Sequence, residues 1–466
     1  MAYTDIDNPE LFFQAKTFSG NAGTNAITLD GSEDMQPDWV WLKKRNGTAN
    51  HHLVDSVRGA GRYLYSNLAN AEGGDGTGLL TSFNSNGFTL DAGADSNGSG
   101  ATGVSWNWKA SGSAPAITYT VKVVSDSGNK YRFDDFGTSA VTLDLQEGGT
   151  YTFDQSDSSN SGHPLRFSTT SDGSHGGGSE YTTGVTTTGT PGSAGAKTVI
   201  TVASGTATLY YYCSVHSGMG GQANTNSTFG SSNFSGSVQT KVSANTTAGF
   251  SIVSWTGTGS AGTIGHGGIG TPKMIIVKRR DSADTWWTFN SNLGSNDAYV
   301  ALNETLASNT AGGSGLWNST APTSSVFSVG TNTGVNGSSG TYVAYCFAEK
   351  KGYSKFGSYT GNGNADGTFI YTGFLPAMVI IKRTDTAGYE WRIVDNKRLG
   401  YNGASYSLNP NDNTSEGTSD RLDFVSNGIK LTSSATSFNA SGGTYIYMAF
   451  AESPFVNSNG VPNNAR

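Results

Sequence analysis

Cysteine is scarce: Cys213 and Cys346 are the two in 466 residues. Two thiols cannot build the disulfide framework of a small secreted domain, so stability must come from buried area, as suits a chain made in a reducing cytoplasm. Charge is thin as well. Asp, Glu, Lys and Arg together make 14%, against about a quarter in an ordinary domain. A net charge of −7 lacks the basic stripe that a nucleic-acid partner requires. Long apolar runs are missing too. Stretches such as Ala377 to Ile381 fall far short of the about 20 residues that span a bilayer, so no membrane insertion is expected. The opening MAYTDIDNPELFFQ has no basic and then apolar segment and does not read as a secretory signal.

Glycine and aromatics are plentiful. Gly occupies 65 positions and aromatics 11%, with glycine at about twice ordinary usage. The glycines show no period of three, which excludes collagen, and the aromatic load excludes disorder. Helical bundles and coiled coils need more Ala, Leu, Glu and Lys. An all-β chain of short strands and Gly/Ser/Asn/Thr turns remains.

Three segments align without gaps: Pro37 to Arg45, Pro272 to Arg280 and Pro376 to Thr384. Each runs from Pro through apolar residues to a basic pair (Lys43-Lys44, Lys278-Arg279, Lys382-Arg383). About 70 residues on, a second strand recurs as Val104 to Trp108, Val343 to Phe347 and Ile446 to Phe450, after turns at Asn97, Asn336 and Asn439. Alternate positions of that strand are apolar, so one face packs on a core. Asn-Gly inside Ser82 to Leu90 and Phe424 to Leu431 signals tight hairpins. One repeat is about 104 residues, and about 131 extra residues separate the first two, so a small domain is inserted there. The expected fold is all-β: tandem jelly-roll-like sandwiches with one inserted sandwich, strung by short linkers. The expected bounds are 1–112 (N-terminal segment and first repeat), 113–226 (insertion), 227–350 (second repeat) and 351–466 (third repeat and tail).

The Pro-led strand, the GFTL-like turn and the closing Tyr342-Val-Ala-Tyr-Cys-Phe-Ala-Glu349 strand resemble the repeat of tail-fibre and virion structural proteins of marine tailed phages. The resemblance implies a tail fibre or appendage subunit, made in the host cytoplasm and resident in the virion. It would contact other virion proteins, self-associate as a trimer and touch a host-surface glycan or receptor. A capsid decoration or head fibre protein is the close alternative. No enzyme is implied.

Within the insertion, Cys213-x2-His216-x2-Met219 follows the aromatic strand Ala207 to Cys213, and His163 lies 50 residues upstream. This pattern resembles a cupredoxin. The resemblance implies His163, Cys213 and His216 as equatorial copper ligands and Met219 as the weak axial one, a set suited to type-1 copper; a redox module is therefore the alternative from another class. Other residues take plainer readings. His51-His52 occupy positions filled by Trp286-Trp287 and Trp391-Arg392, which points to packing. His175 and His266 are expected in exposed loops, and the basic pairs to end their strands in solvent. Asp154, Asp157 and Asn160 lack calcium-loop spacing. Glu349 and Glu452 are matched by Ala110, which weakens any paired-carboxylate chemistry.

Overall fold

The computed structural model describes residues 3–74, 79–111, 114–226, 228–398, 406–418 and 421–462. The boundary expected at 112/113, residue 227 and the last four residues of the tail lie outside them. Nearly continuous apolar character places the Pro-led strands centrally. Trp39–Lys44 lies between Thr102–Trp108 and His52–Asp55, Pro272–Arg279 between Thr341–Ala348 and Trp287–Asn290, and Phe374–Arg383 between Thr444–Pro454 and Arg392–Asp395. All six pairings are antiparallel. Each of these sheets faces a smaller one: Asn25–Thr28 with Leu80–Asn84 and Gly87–Leu90, Gly262–Gly265 with Val326–Val329, and Phe369–Tyr371 with Leu422–Val425 and Gly428–Leu431. The fold is all-β, as the composition implied, with sandwich layering and no barrel among the described residues.

The hairpins form where Asn-Gly stands. Gly87 has φ +124, and a Cβ there would sit 2.0 Å from the carbonyl oxygen of Ile27 on the paired strand. Only glycine allows that approach. Asn97, Asn336 and Asn439 are fully buried. Their carboxamides satisfy loop backbone on both sides: Asn336 donates to Ser260 O and Gly330 O and accepts from Thr258 N–H, and Asn439 donates to Asn364 O and Ser433 O and accepts from Asn362 N–H. Each therefore ties the start of the late strand to its neighbours.

The repeats are not strung on linkers. The alternating apolar faces of all three large sheets meet in one core that contains Trp39, Trp106 and Trp108 from the first repeat, Met274, Tyr345 and Phe347 from the second, and Met378, Met448 and Phe450 from the third. Trp108, Phe347 and Phe450 hold the same position in the three late strands. Their ring centroids form a triangle with sides of 6.5, 5.6 and 5.9 Å. The late strands are buried on both faces, not half-buried as alternation implied: Ser105, Asn107, Cys346 and Ala449 are covered as fully as Trp106, because the small sheets cover one face and closure around a pseudo-threefold axis hides the three bulky faces together. Hydrogen bonds follow the same cycle. Trp286 Nε1 donates to Tyr65 O and Trp391 Nε1 to Ala301 O, both at 2.8 Å. His51, their counterpart, is buried, accepts from Trp41 Nε1 through Nδ1 and faces the Asn409 backbone.

Burial also corrects the basic pairs. Lys43, Lys278 and Lys382 are fully buried, not in solvent. Their ammonium groups donate to backbone carbonyls: Lys43 to Lys44 O, Lys278 to Ala69 O and Arg279 O, and Lys382 to Tyr389 O. Desolvation pulls each down to about 8. A strand that is covered on both faces leaves its last side chain no route to water.

The insertion is a separate sandwich with its own core. One sheet runs Asn129–Phe133, Ala116–Ser125, Thr150–Asp154, Lys197–Thr201, Val185–Thr188. The other runs Leu143–Gln146, Gly221–Asn226, Leu209–Cys213, Leu165–Ser168. Two pairings are parallel, Ala116–Ser125 with Thr150–Asp154 and Leu143–Gln146 with Gly221–Asn226. It docks on the second repeat through Ser231–Asn233, where Tyr119 Oη donates to Ser232 O and Tyr151 Oη meets Ser231 Oγ.

Candidate metal centre

Ladder register brings the donors together. Cys213 ends its strand opposite Leu165, so His163, two residues before Leu165, reaches past the strand end toward the thiol. The chain then turns through Ser214 to Gly218 and returns His216 to the same spot. Polar contacts from neighbouring segments hold this turn. Gly218 N–H donates to both Asp172 carboxylate oxygens at 2.9 and 3.0 Å, His175 Nε2 lies 3.0 Å from Cys213 O, and Lys130 Nζ donates to Gly218 O. Ser214 N–H also donates to Pro164 O at 3.1 Å.

Cys213 Sγ lies 3.9 Å from His163 Nδ1 and 3.8 Å from His216 Nδ1, and the three donor atoms fall within 4.8 Å of one another. A metal with bonds of about 2.3 Å to sulfur and about 2.05 Å to nitrogen spaces donors about 3.8 Å apart across a 120° angle. The two sulfur–nitrogen separations match that span. Cys213 is buried, His163 half-buried and His216 exposed, so the group opens to solvent on the His216 side. His163 is held below its ordinary value by desolvation and then by His216; this favours the neutral imidazole that a metal needs. Met219 is buried in the same core as Cys213, directly after the turn.

Sequence reasoning missed the residues that support these donors. Tyr131 N–H donates to Met219 O at 3.0 Å, and its hydroxyl donates to His163 O at 2.9 Å. Burial, and then the neighbouring Cys213, push the phenol well above its ordinary value. Tyr131 thus touches three of the four candidate residues. Tyr131 lies in Asn129–Phe133, a strand that sequence reasoning did not single out. Asp172, at φ +56, was concealed in a Gly/Thr-rich loop, and His175 was read as an unattached loop residue.

The remaining candidates do not gather. His266 is buried rather than exposed and meets Thr323 O at 3.2 Å; the loop is covered because it folds under the Ser325 backbone, which pairs with the His266 amide. Asp154 and Asp157 accept from the amides of Ser156 and Ser159 as local caps, and buried Asn160 donates to Val121 O on another strand, so the three serve backbone rather than an ion. Glu349 pairs with Lys355 at 2.7 Å and Glu452 accepts from Asn396. No helix among the described residues is long and apolar enough to cross a membrane.

The profile of the family described as a domain of unknown function, DUF7483, matches residues 8–139 and 223–454, and the chain belongs to that family. The matched residues hold the three repeats, whereas His163, Cys213, His216 and Met219 all fall in the unmatched 140–222. No curated protein and no solved structure matches the chain.

Proposed function

We propose that this chain is a structural, attachment-bearing subunit of a phage particle, a tail fibre or similar appendage. The single observation that supports it is the closure of three repeats around one aromatic core. That closure makes a stiff body, and loops on its outside are where contact residues belong. Threefold closure is met within one chain, so self-association, expected as a trimer, would use outer faces and leave the core intact. The role is binding rather than catalysis. Labelling of purified particles with an antibody against the second repeat tests the reading: decoration along a tail appendage supports it, decoration of the head favours the capsid-decoration alternative, and no decoration of intact or partially disassembled particles overturns both.

One specific observation favours a second role for the insertion, the donor spacing of His163, Cys213 and His216. A soft thiolate with two imidazoles selects copper, and Met219 follows on the same turn. Copper bound here would supply one-electron chemistry and would stabilise the folded sandwich, because it binds only the assembled donors. The chain's own part is to hold the Cys213 sulfur in an apolar cluster and, by desolvation, to favour the neutral form of His163. Adding Cu(II) to purified protein should give an intense thiolate-to-copper absorption band and raise the unfolding temperature of the insertion. Cys213→Ser should remove the band and His163→Ala should weaken the stabilisation. Full-length protein that stays colourless and unstabilised with Cu(II) sinks the copper role and leaves the appendage reading standing.

A further inference from the structure

The three repeats solve one packing position in three ways. Ladder register makes Tyr65, Ala301 and Asn409 equivalent: Tyr65 pairs with His52 and Ala301 with Trp287, and the Ile393–Leu408 bridge sets Asn409 across from Arg392. In the first repeat the Tyr65 ring fills the site, with its centroid 4.9 Å from His52 and 5.2 Å from Tyr63. In the third, Arg392 donates to Asn409 Oδ1 at 2.6 Å and closes it. In the second, Ala301 leaves the space open, and a pocket of about 280 Å³ stands there, with Ala387 of the third repeat on its wall.

Its lining has a definite chemistry. Trp287 and Tyr299 are half-buried rings set edge to face, with centroids 5.2 Å apart at 80°. Leu306 is 53% exposed at the mouth. Glu304 and Asn309 line it as well, and Thr285 Oγ1 donates to Glu304 Oε1. No lysine or arginine lines it. Aromatic surface beside a carboxylate and a carboxamide suits a flat ring that is apolar on its faces and carries hydroxyls at its edge. A purely hydrocarbon guest would strip water from Glu304 without replacing it. An anionic guest would meet Glu304 with no cation to offset it.

We propose that this pocket binds one pyranose ring of a neutral glycan and rejects acidic sugars. The inference rests on the attachment reading above, since it names the ligand class that an appendage would present itself to. Saturation-transfer NMR and tryptophan fluorescence on the full chain test it, with the methyl glycosides of glucose, galactose, mannose and N-acetylglucosamine as probes and N-acetylneuraminic acid as the acidic control. At least one neutral glycoside should bind with a dissociation constant of order 1 mM and change Trp fluorescence, while the acidic sugar should not. Ala301→Tyr installs the ring that the first repeat already uses and should weaken binding at least tenfold at an unchanged unfolding temperature. Glu304→Gln, at the rim, should weaken it severalfold and guards against misfolding of the first variant. Binding to none of the four neutral probes, undiminished binding in both variants, or equal binding of the acidic sugar overturns the proposal. Particle labelling is independent: sugar binding by a protein absent from particles would overturn only the appendage reading.

Discussion

A buried ion pair beside the common core offers the sharpest check on the packing. Asp55 and Arg58 have fully buried side chains. Arg58 donates from Nε to Asp55, from Nη1 to Glu72 at 3.1 Å, and from Nη2 to Leu53 O at 2.9 Å and Tyr345 Oη at 3.2 Å. Tyr345 Oη in turn donates to Asp55 at 2.8 Å. The third repeat repeats the pair as Asp395 and Arg398, with Trp106 Nε1 donating to Asp395 at 2.9 Å. By register the second repeat holds Asn290 in the Asp position, and Leu293 follows where Arg would stand. The same scaffold thus accepts a neutral version. Arg58→Leu alone leaves the Asp55 carboxylate buried with only neutral donors and should cost about 3–5 kcal/mol. Asp55→Asn with Arg58→Leu copies the second repeat and should fall within about 1.5 kcal/mol of wild type, since replacing both partners of a buried pair is often near neutral. Denaturant unfolding followed by tryptophan fluorescence measures both, because Trp39 stacks on Tyr345 with centroids 4.2 Å apart. With Asp55→Asn completing the cycle, the coupling should exceed about 2 kcal/mol. A coupling below about 0.5 kcal/mol would refute the view that these charges are held by each other.

Three further outcomes are expected. Lys43, Lys278 and Lys382 have folded-state values near 8 against about 10.5 unfolded, so the folded chain releases these protons first and stability should rise with pH from about 8. The gain is about 1 kcal/mol per lysine between pH 8 and 9, until buried Cys346 and the buried tyrosines, whose values are raised, begin to reverse it; urea midpoints at pH 8.0, 8.5 and 9.0 read the slope, and Lys382→Met should remove about a third of it. Tyr131→Phe deletes the hydroxyl that holds His163 O and should lower copper affinity about 10- to 100-fold, as loss of an outer partner of a ligand does; isothermal titration with Cu(II) checks it, and unchanged affinity counts against a supporting role. Gly87→Ala would press a methyl onto Ile27 O at positive φ and should cost more than about 2 kcal/mol, read as faster hydrogen exchange in Asn25–Thr28.

What the sequence made legible was local. Alternation in Val104 to Trp108 and its two copies named the bulky face but not the burial of the other, Asn-Gly named the hairpins, and Cys-x2-His gave two donors whose spacing one turn fixes. What stayed hidden was which surfaces meet. The period of two says that Trp106, Tyr345 and Met448 are covered, but it reads the same whether each sheet is covered by its own small partner or by the other repeats. Lys43, Lys278 and Lys382 show the same gap. A basic residue at a strand end is exposed in a lone sandwich and buried in a closed triad, and nothing within the strand separates the two. Tyr131 was invisible as a support because its value comes from a contact across 32 residues to His163.

Closure around an axis also explains where the repeats diverge. At the axis, Trp108, Phe347 and Phe450 must share one small volume, so a change in one repeat is bounded by the other two. Bulk is accordingly traded there: Trp39 faces Tyr345, while Met378 and Met448 fill the narrower remainder. One turn outward the constraint relaxes. Tyr65, Ala301 and Asn409 share a backbone position, and the Tyr65 and Ala301 carbonyls accept inter-repeat hydrogen bonds, yet the three side chains fill, vacate and bridge the same space. The backbone carbonyl holds the cycle together and the side chain is free to vary. Outward positions of this kind are therefore where a repeat protein of constant core can acquire a site in one copy alone, and Ala301 is the position where this chain has left one open.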